Sequence, residues 1–384
     1  MKIITVLVTA AALIAAVPAQ ASANAPEVSA KAAVLISADT GEVIYAHRSG
    51  EKLPMASTTK IMTVLLTLES ARRAGDLYEE FTVDSEAIKV EGSSMGLVDG
   101  DTVTKYALCC GMLLPSGNDA ANAAAVRIAG SIEDFAGLMN RRAAELGLRA
   151  THFVTPSGLE GDGHGSSAYD MAILARKALR DPTFREICSC TDKETEFGSP
   201  PYRRWLKNTN RLLTMDEGVY GVKTGYTDEA GRCLVSACVR DGRDMICVTL
   251  NDPDDWNDHL ALYSYGAQTA SSVDITLPQE LAIDLAGGTG EQITASPLGS
   301  SLRLTTLSAG QEDITFTVIA PPFIYAPVRQ GDNVGELRVE LCGREINRLP
   351  LYADCDAGRY IPEEGQEDEG LCSRIINALR RMFS

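Results

Sequence analysis

Ser57 and Lys60 are the residues of this chain with the clearest chemical potential. They stand three apart in Ser57-Thr58-Thr59-Lys60, at the start of an apolar-periodic segment. A helix opening there puts both side chains on one face, about one turn apart. A hydroxyl at a helix N-terminus lies where the partial positive charge favours a developing anion. A neutral lysine beside it could accept the serine proton, provided burial or a second cation lowers its pKa. The spacing alone is weak evidence. Ser49-Gly50-Glu51-Lys52 repeats it just before Pro54, in a polar turn with no helix to fix the geometry.

Two further clusters lie downstream. Ser116-Gly117-Asn118 follows Pro115 and offers a hydroxyl and a carboxamide. The same residue types also make an ordinary turn and helix cap, and Ser22-Ala23-Asn24 repeats the pattern near the N-terminus. Lys223-Thr224-Gly225, followed by Tyr226, occurs once and enters a strand-like segment. There the lysine and threonine present a cation and a hydroxyl, and the glycine lets a ligand lie close against the strand edge. Each cluster has a plain structural reading when taken singly. Their order, with the first opening a helix and the third on a strand, makes the set specific.

The elements that must hold these residues follow from periodicity. Ala33–Tyr45 reads as two strands around Asp39-Thr40-Gly41, and Ser57–Ala74 as a helix closed by Gly75. Helices are expected from Asn118 to Ile128, Ser131 to Leu146, Tyr169 to Leu179 and Leu260 to Thr269. Strands are expected over Cys233–Val239 and Met245–Leu250, around the Asp241-Gly242 turn. Helices interleaved with a mostly antiparallel sheet imply an α+β domain over residues 27–270. Over residues 273–355, short alternating runs broken by glycine and proline predict a small all-β domain.

With its three motifs in this order, the chain resembles the D-alanyl-D-alanine carboxypeptidases among the low-molecular-mass penicillin-binding proteins. The likeness extends to Pro54-Met-Ala-Ser-Thr-Thr-Lys-Ile-Met62, Glu91-Gly-Ser-Ser-Met-Gly-Leu97, Leu113-Leu-Pro-Ser-Gly-Asn-Asp-Ala-Ala121, Thr151-His-Phe153 and Lys223-Thr-Gly-Tyr-Thr227. Gly331-Asp-Asn-Val-Gly-Glu-Leu337 is similar to the family's β-rich C-terminal domain. The resemblance covers nearly the whole chain. It implies a β-lactamase/DD-peptidase-like domain, an antiparallel sheet flanked by helices, followed by the all-β domain.

By that resemblance Ser57 would attack the carbonyl between two D-alanines of a peptidoglycan stem peptide, giving an acyl-enzyme, with Lys60 as general base. Ser116 would relay a proton toward the leaving nitrogen, and Asn118 would hold the substrate's peptide amide. Lys223 and Thr224 would bind the terminal carboxylate, and Gly225 and Tyr226 would complete the substrate site. Backbone N–H groups of Ser57 and Tyr226 would form the oxyanion hole. No metal or cofactor enters this chemistry, and β-lactam antibiotics would acylate Ser57 as inhibitors.

Other readings fit less well. A β-lactamase-like hydrolase needs a glutamate-activated water, and no Glu-x-x-Leu-Asn segment is present. A zinc peptidase needs clustered ligands, whereas His47, His152, His164 and His259 are scattered. His164 reads as a structural loop residue. A non-catalytic penicillin- or wall-sensing module would have no need of Ser57 paired with Lys60. The 52 acidic residues against 35 basic ones give a net charge of −17, which repels phosphate backbones and argues against nucleic acid as a partner.

The two ends indicate where the chain works. Lys2, the apolar run Ile3–Val17, Pro18 and the small-residue exit at Ala19–Ala23 read as a removed export signal over residues 1–23. Residues 356–370, with Glu363, Glu364, Glu367, Asp368 and Glu369, read as an acidic linker. Over residues 371–384, Leu371, Ile375, Ile376, Leu379, Met382 and Phe383 share one helical face, with Arg374 and Arg381 off it. Such a helix is too short to span a bilayer but can lie in the membrane surface. The expected location is the outer face of the cytoplasmic membrane, at the cell wall. The ten cysteines contain no Cys-x-x-Cys pair and read mostly as small buried hydrophobes.

Overall fold

The computed structural model describes residues 2–6 and 24–361, and its contacts divide the chain into two units at Ser271/Ser272. Residues 7–23 of the expected signal, the linker from residue 362 and the 371–384 helix lie outside the described residues.

The larger unit is built on a five-stranded antiparallel sheet. Its order is Val43–His47, Ala32–Ser37, Arg243–Leu250, Gly231–Arg240, Val219–Thr227. The Ala32–Ser37 strand is continuously apolar, rather than alternating, because both faces of the sheet are covered. Ala32, Val34 and Ile36 join the main helical core, while Ala33 and Leu35 pack with Leu262 and Tyr263 of the helix Asp255–Thr269. Cys238 and Cys247 sit together on that second face. They are buried, as are Cys109, Cys110, Cys188 and Cys233, whereas Cys342 and Cys355 are exposed.

At the centre of the helical layer lies Lys60–Ala74, with Ile61, Met62, Val64, Leu65, Leu66, Leu68 and Ala71 all buried. A helix this apolar is stable only when surrounded. It starts three residues later than the sequence pattern suggests, because Ala56–Thr59 form a 3-10 turn. Asn118–Ala129, Ile132–Glu145 and Ala168–Ala178 pack nearby, the last two capped by the Ser131 and Ser167 hydroxyls. Lys105–Leu113 and Pro182–Ser189 are helices the pattern did not predict. The first is buried at eight of its nine positions and so shows no amphipathic stripe. The hairpin Asp192–Gly198/Pro201–Lys207 was missed as well, since its charges pair across the ribbon rather than alternate with apolar residues.

The smaller unit is all-β. A seven-stranded sheet runs Lys2–Val6, Ile314–Ala320, Asn333–Leu341, Arg344–Ala353, Gln292–Pro297, Leu281–Ala286, Ile324–Tyr325. Phe316, Leu337, Val339 and Leu351 form the middle of its core. Lys2–Val6, the opening of the run read as an export signal, pairs antiparallel with Ile314–Ala320 as the edge strand, consistent with its β-branched residues Ile3, Ile4, Thr5 and Val6. This α+β unit with its antiparallel sheet, followed by a β unit, is the expected fold class.

Phe135 is fully buried in the helical core. Phe135→Ala is expected to lower the stability of the larger unit by about 3–5 kcal/mol, read from its calorimetric transition.

Candidate active site

The three motifs meet beside an edge strand. Val219–Thr227 has a strand neighbour on one side only among the described residues, and the Ala56–Thr59 turn packs near it. Gly225 permits that approach: a Cβ there would lie 3.1 Å from Ala56 Cβ, Met55 O and Ser57 N. Gly158, at φ +86°, closes from elsewhere, and a Cβ on it would sit 2.0 Å from Ala56 O. Ala56 is itself held at a left-handed φ of 46°, a conformation alanine adopts only when its surroundings impose it. Ser57 sits half-buried on this turn, with Thr58, Thr59 and Lys60 buried behind it.

Lys60 is fully buried. Its Nζ lies 2.9 Å from Ser57 Oγ, 2.7 Å from Asn118 Oδ1 and 2.6 Å from the backbone oxygen of Ser157. None of these partners is a carboxylate. Burial pushes the Lys60 pKa well below the ordinary lysine value, the charge of Lys223 pushes the same way, and Asp119 opposes both. Lys223 is buried too and donates to the Thr224 backbone oxygen at 2.8 Å. Burial lowers its pKa to about 7.

Asn118 is fixed from three directions. Its Oδ1 accepts from Lys60, its Nδ2 donates to Glu91 O at 2.7 Å, and its backbone N–H donates to Ser93 O at 2.7 Å. Ser116 is buried just ahead of it at a left-handed φ of 68°, and its hydroxyl is bonded to neither Ser57 nor Lys60. Asp119 was missed by the sequence reading. Its carboxylate accepts from Ser94 Oγ (2.6 Å) and from the N–H groups of Met95 (2.9 Å), Gly96 (3.1 Å) and Leu97 (3.0 Å), folding the 91–97 loop over Asn118. The only available signal was its place directly after Ser-Gly-Asn.

The loop that supplies the Ser157 carbonyl is stitched to the Lys60 helix. Thr63 Oγ1 donates to Pro156 O at 2.6 Å. His164 does hold the loop, as expected, and it does so against the motif itself. Its Nδ1 accepts from the Val154 N–H at 3.0 Å, which assigns the ring proton to Nε2, 2.9 Å from Thr59 Oγ1. Burial lowers its pKa to about 4, so the ring stays neutral near pH 7. Thr224 Oγ1 lies 2.7 Å from Thr209 Oγ1. Tyr226 is exposed, and its hydroxyl donates to Asp228 at 3.1 Å.

Among the described residues no group of three or more His, Cys, Asp and Glu side chains is placed to hold a metal ion. What the arrangement offers is a serine hydroxyl against a buried amine, beside an open strand edge that carries a second buried amine.

Comparison with known proteins identifies the family. A family profile described as D-alanyl-D-alanine carboxypeptidase matches residues 19–254. D-alanyl-D-alanine carboxypeptidase DacF of Bacillus subtilis is 33% identical over 346 residues, covering 85% of this chain and 85% of its own. DacC of Escherichia coli is 32% identical over 380 residues, covering 95% and 91%. The crystal structure of D-alanyl-D-alanine carboxypeptidase DacD from Francisella tularensis matches with a TM-score of 0.59 at 25% identity, over 88% of this chain and 96% of that one. The chain belongs to the D-alanyl-D-alanine carboxypeptidase family.

Proposed function

We propose that this enzyme removes the terminal D-alanine from peptidoglycan stem peptides through an acyl-enzyme on Ser57. The observation that carries the reading is the set of partners around Lys60. A neutral amine has two N–H groups and one lone pair. Asn118 Oδ1 and Ser157 O can only accept, so they take the two N–H groups, and the lone pair is left to face the Ser57 hydroxyl 2.9 Å away. That is the arrangement of a general base with its nucleophile.

In this reading Ser57 Oγ attacks the carbonyl carbon between the last two D-alanines as its proton passes to Lys60. The oxyanion forms against the backbone N–H groups of Ser57 and Tyr226, each donor contributing roughly 2.7–4 kcal/mol. The C–N bond then breaks, and the proton travels from Lys60 by way of Ser116 to the departing amine of D-alanine. Water, deprotonated by Lys60, attacks the ester and releases the shortened peptide. Lys223 and Thr224 receive the terminal carboxylate. Asn118 holds the stem's amide, and Gly225 and Tyr226 border the peptide along the strand edge. A β-lactam ring enters by the same attack on its carbonyl and inhibits by leaving slowly.

Export completes the proposal. Residues 1–23 act as a removed signal, so the Lys2–Val6 strand belongs to the precursor and Ile314–Ala320 becomes the edge of that sheet in the mature enzyme. Residues 371–384 rest on the outer face of the cytoplasmic membrane, the support for both assignments being their apolar patterning.

Intact mass spectrometry with benzylpenicillin is expected to show one adduct per chain, and diacetyl-Lys-D-Ala-D-Ala to release D-alanine. Ser57→Ala should lose the adduct and lower release by roughly 10³-fold or more. An adduct without release would contradict the carboxypeptidase reading.

The depressed Lys60 pKa also fixes a sign. A lysine whose folded value lies below its unfolded value near 10.5 gives up its proton on folding across that interval. Its burial therefore destabilises most at low pH and not at all above the unfolded value. Lys60→Met should gain stability relative to the parent as pH falls from about 10.5 toward neutrality, measured by thermal unfolding at several pH values. A pH-independent difference would contradict the shift.

Deleting residues 371–384 is expected to leave D-alanine release intact while moving the protein from the membrane to the soluble fraction. Undiminished membrane retention would contradict the surface-helix assignment.

A further inference from the structure

The tripeptide Asn208-Thr209-Asn210 played no part in the sequence reading, yet it is fastened on both flanks and aims one hydroxyl at the carboxylate site. The Asn208 side chain donates to Cys190 O at 2.9 Å and to Cys188 O at 3.2 Å, and it accepts from the Asn210 N–H at 2.9 Å. The Asn210 side chain donates to Gly221 O at 2.9 Å and accepts from the Leu212 N–H at 3.1 Å. Between them the Thr209 backbone N–H donates to Leu114 O at 3.2 Å, two residues before Ser116. Two carboxamides and a main-chain bond thus fix the backbone of a residue whose own side chain is exposed. Its hydroxyl meets Thr224 Oγ1 at 2.7 Å.

We propose that Thr209 is a positioning residue for recognition of the substrate's terminal carboxylate, acting through Thr224. The inference rests on the proposed carboxypeptidase reading and extends it to a residue outside the three motifs. A carboxylate only accepts hydrogen bonds, so Thr224 must present its proton to the ligand. Two hydroxyls in contact share one hydrogen bond, and either can donate. When Thr209 donates, the Thr224 proton is released toward the cleft and its O–H is polarised by the bond it receives. When no anion is present the direction can reverse, with the Thr209 proton turned toward Leu114 O, 3.5 Å away. An arriving carboxylate selects the first arrangement. The charge at the site comes from Lys223, and Thr209 decides which way the neighbouring neutral donor points.

The test is a set of substitutions that leave the backbone bonds of residue 209 in place. Thr209→Val keeps the shape and removes the hydroxyl, and Thr209→Ser keeps the hydroxyl. On diacetyl-Lys-D-Ala-D-Ala, Thr209→Val is expected to raise KM roughly three- to tenfold with kcat nearly unchanged, the signature of lost uniform binding. Thr209→Ser should restore KM. In a Thr224→Val background, Thr209→Val should add little, because the group it acts through is gone. Where release is too slow to follow, the second-order rate of acylation by benzylpenicillin, which also carries a carboxylate, gives the same comparison. A penalty of equal size in both backgrounds, a penalty that falls on kcat, or failure of serine to rescue would each overturn the proposal. Absence of both D-alanine release and penicillin adduct in the unmodified protein would overturn the proposed function itself, and this inference with it.

Discussion

Burying an ammonium group without a counter-charge costs several kcal/mol, and at Lys60 that constraint pushes the amine's pKa well below the ordinary lysine value. Its three partners are a hydroxyl, a carboxamide oxygen and a main-chain carbonyl. They come from three segments far apart in sequence, so each segment needs its own anchorage. The Ala56–Thr59 turn is pressed into place by Gly158 and Gly225. Asn118 is held by the 91–97 loop, which Asp119 gathers with four accepted hydrogen bonds. The Ser157 carbonyl is held by a loop that Thr63 and His164 tie to the helix carrying Lys60. Much of the polar structure of the unit serves to keep two acceptors and one hydroxyl around one nitrogen.

A second buried amine sharpens the effect. Lys223 adds to the depression of the Lys60 pKa through its charge, while its own strand lies at the edge of the sheet. An edge strand exposes unpaired N–H and C=O groups that can bind an extended peptide. In the proposed reaction the same strand gives a stem peptide a surface to lie on, its terminus a buried lysine, and the general base an electrostatic push. The reaction assigned to the site uses all three.

How far this was legible in the sequence depended on which atoms did the work. The proposed reaction uses the side chains of Ser57, Lys60, Asn118, Lys223 and Thr224, and their types and spacing mark them in the sequence. Ser157 acts through its carbonyl, which every residue possesses, so no residue type could mark it. Asp119 and Thr209 are bonded to other residues of the site, and nothing in their residue types singles them out. At the level of fold, four strands of the five-stranded sheet were visible from apolar runs around the Asp39-Thr40-Gly41 and Asp241-Gly242 turns, and the fifth only as the strand-like segment that carries Lys223-Thr224-Gly225. The Lys105–Leu113 helix was not, because a helix buried nearly all round loses its periodic stripe. The 3-10 turn under Ser57 was hidden too: it keeps the serine and lysine adjacent, as a helix would, and differs only in where the α-helix begins.

The most direct test of the account is the pH dependence of Ser57 acylation by a β-lactam, followed by stopped flow under single-turnover conditions. If Lys60 is the general base and is held neutral by burial and by Lys223, the rate reaches its plateau well below the ordinary lysine value near 10.5. A rate that still climbs about tenfold per pH unit up to that value would mean that the amine is an ordinary ammonium in the resting enzyme, and that some other group takes the serine proton.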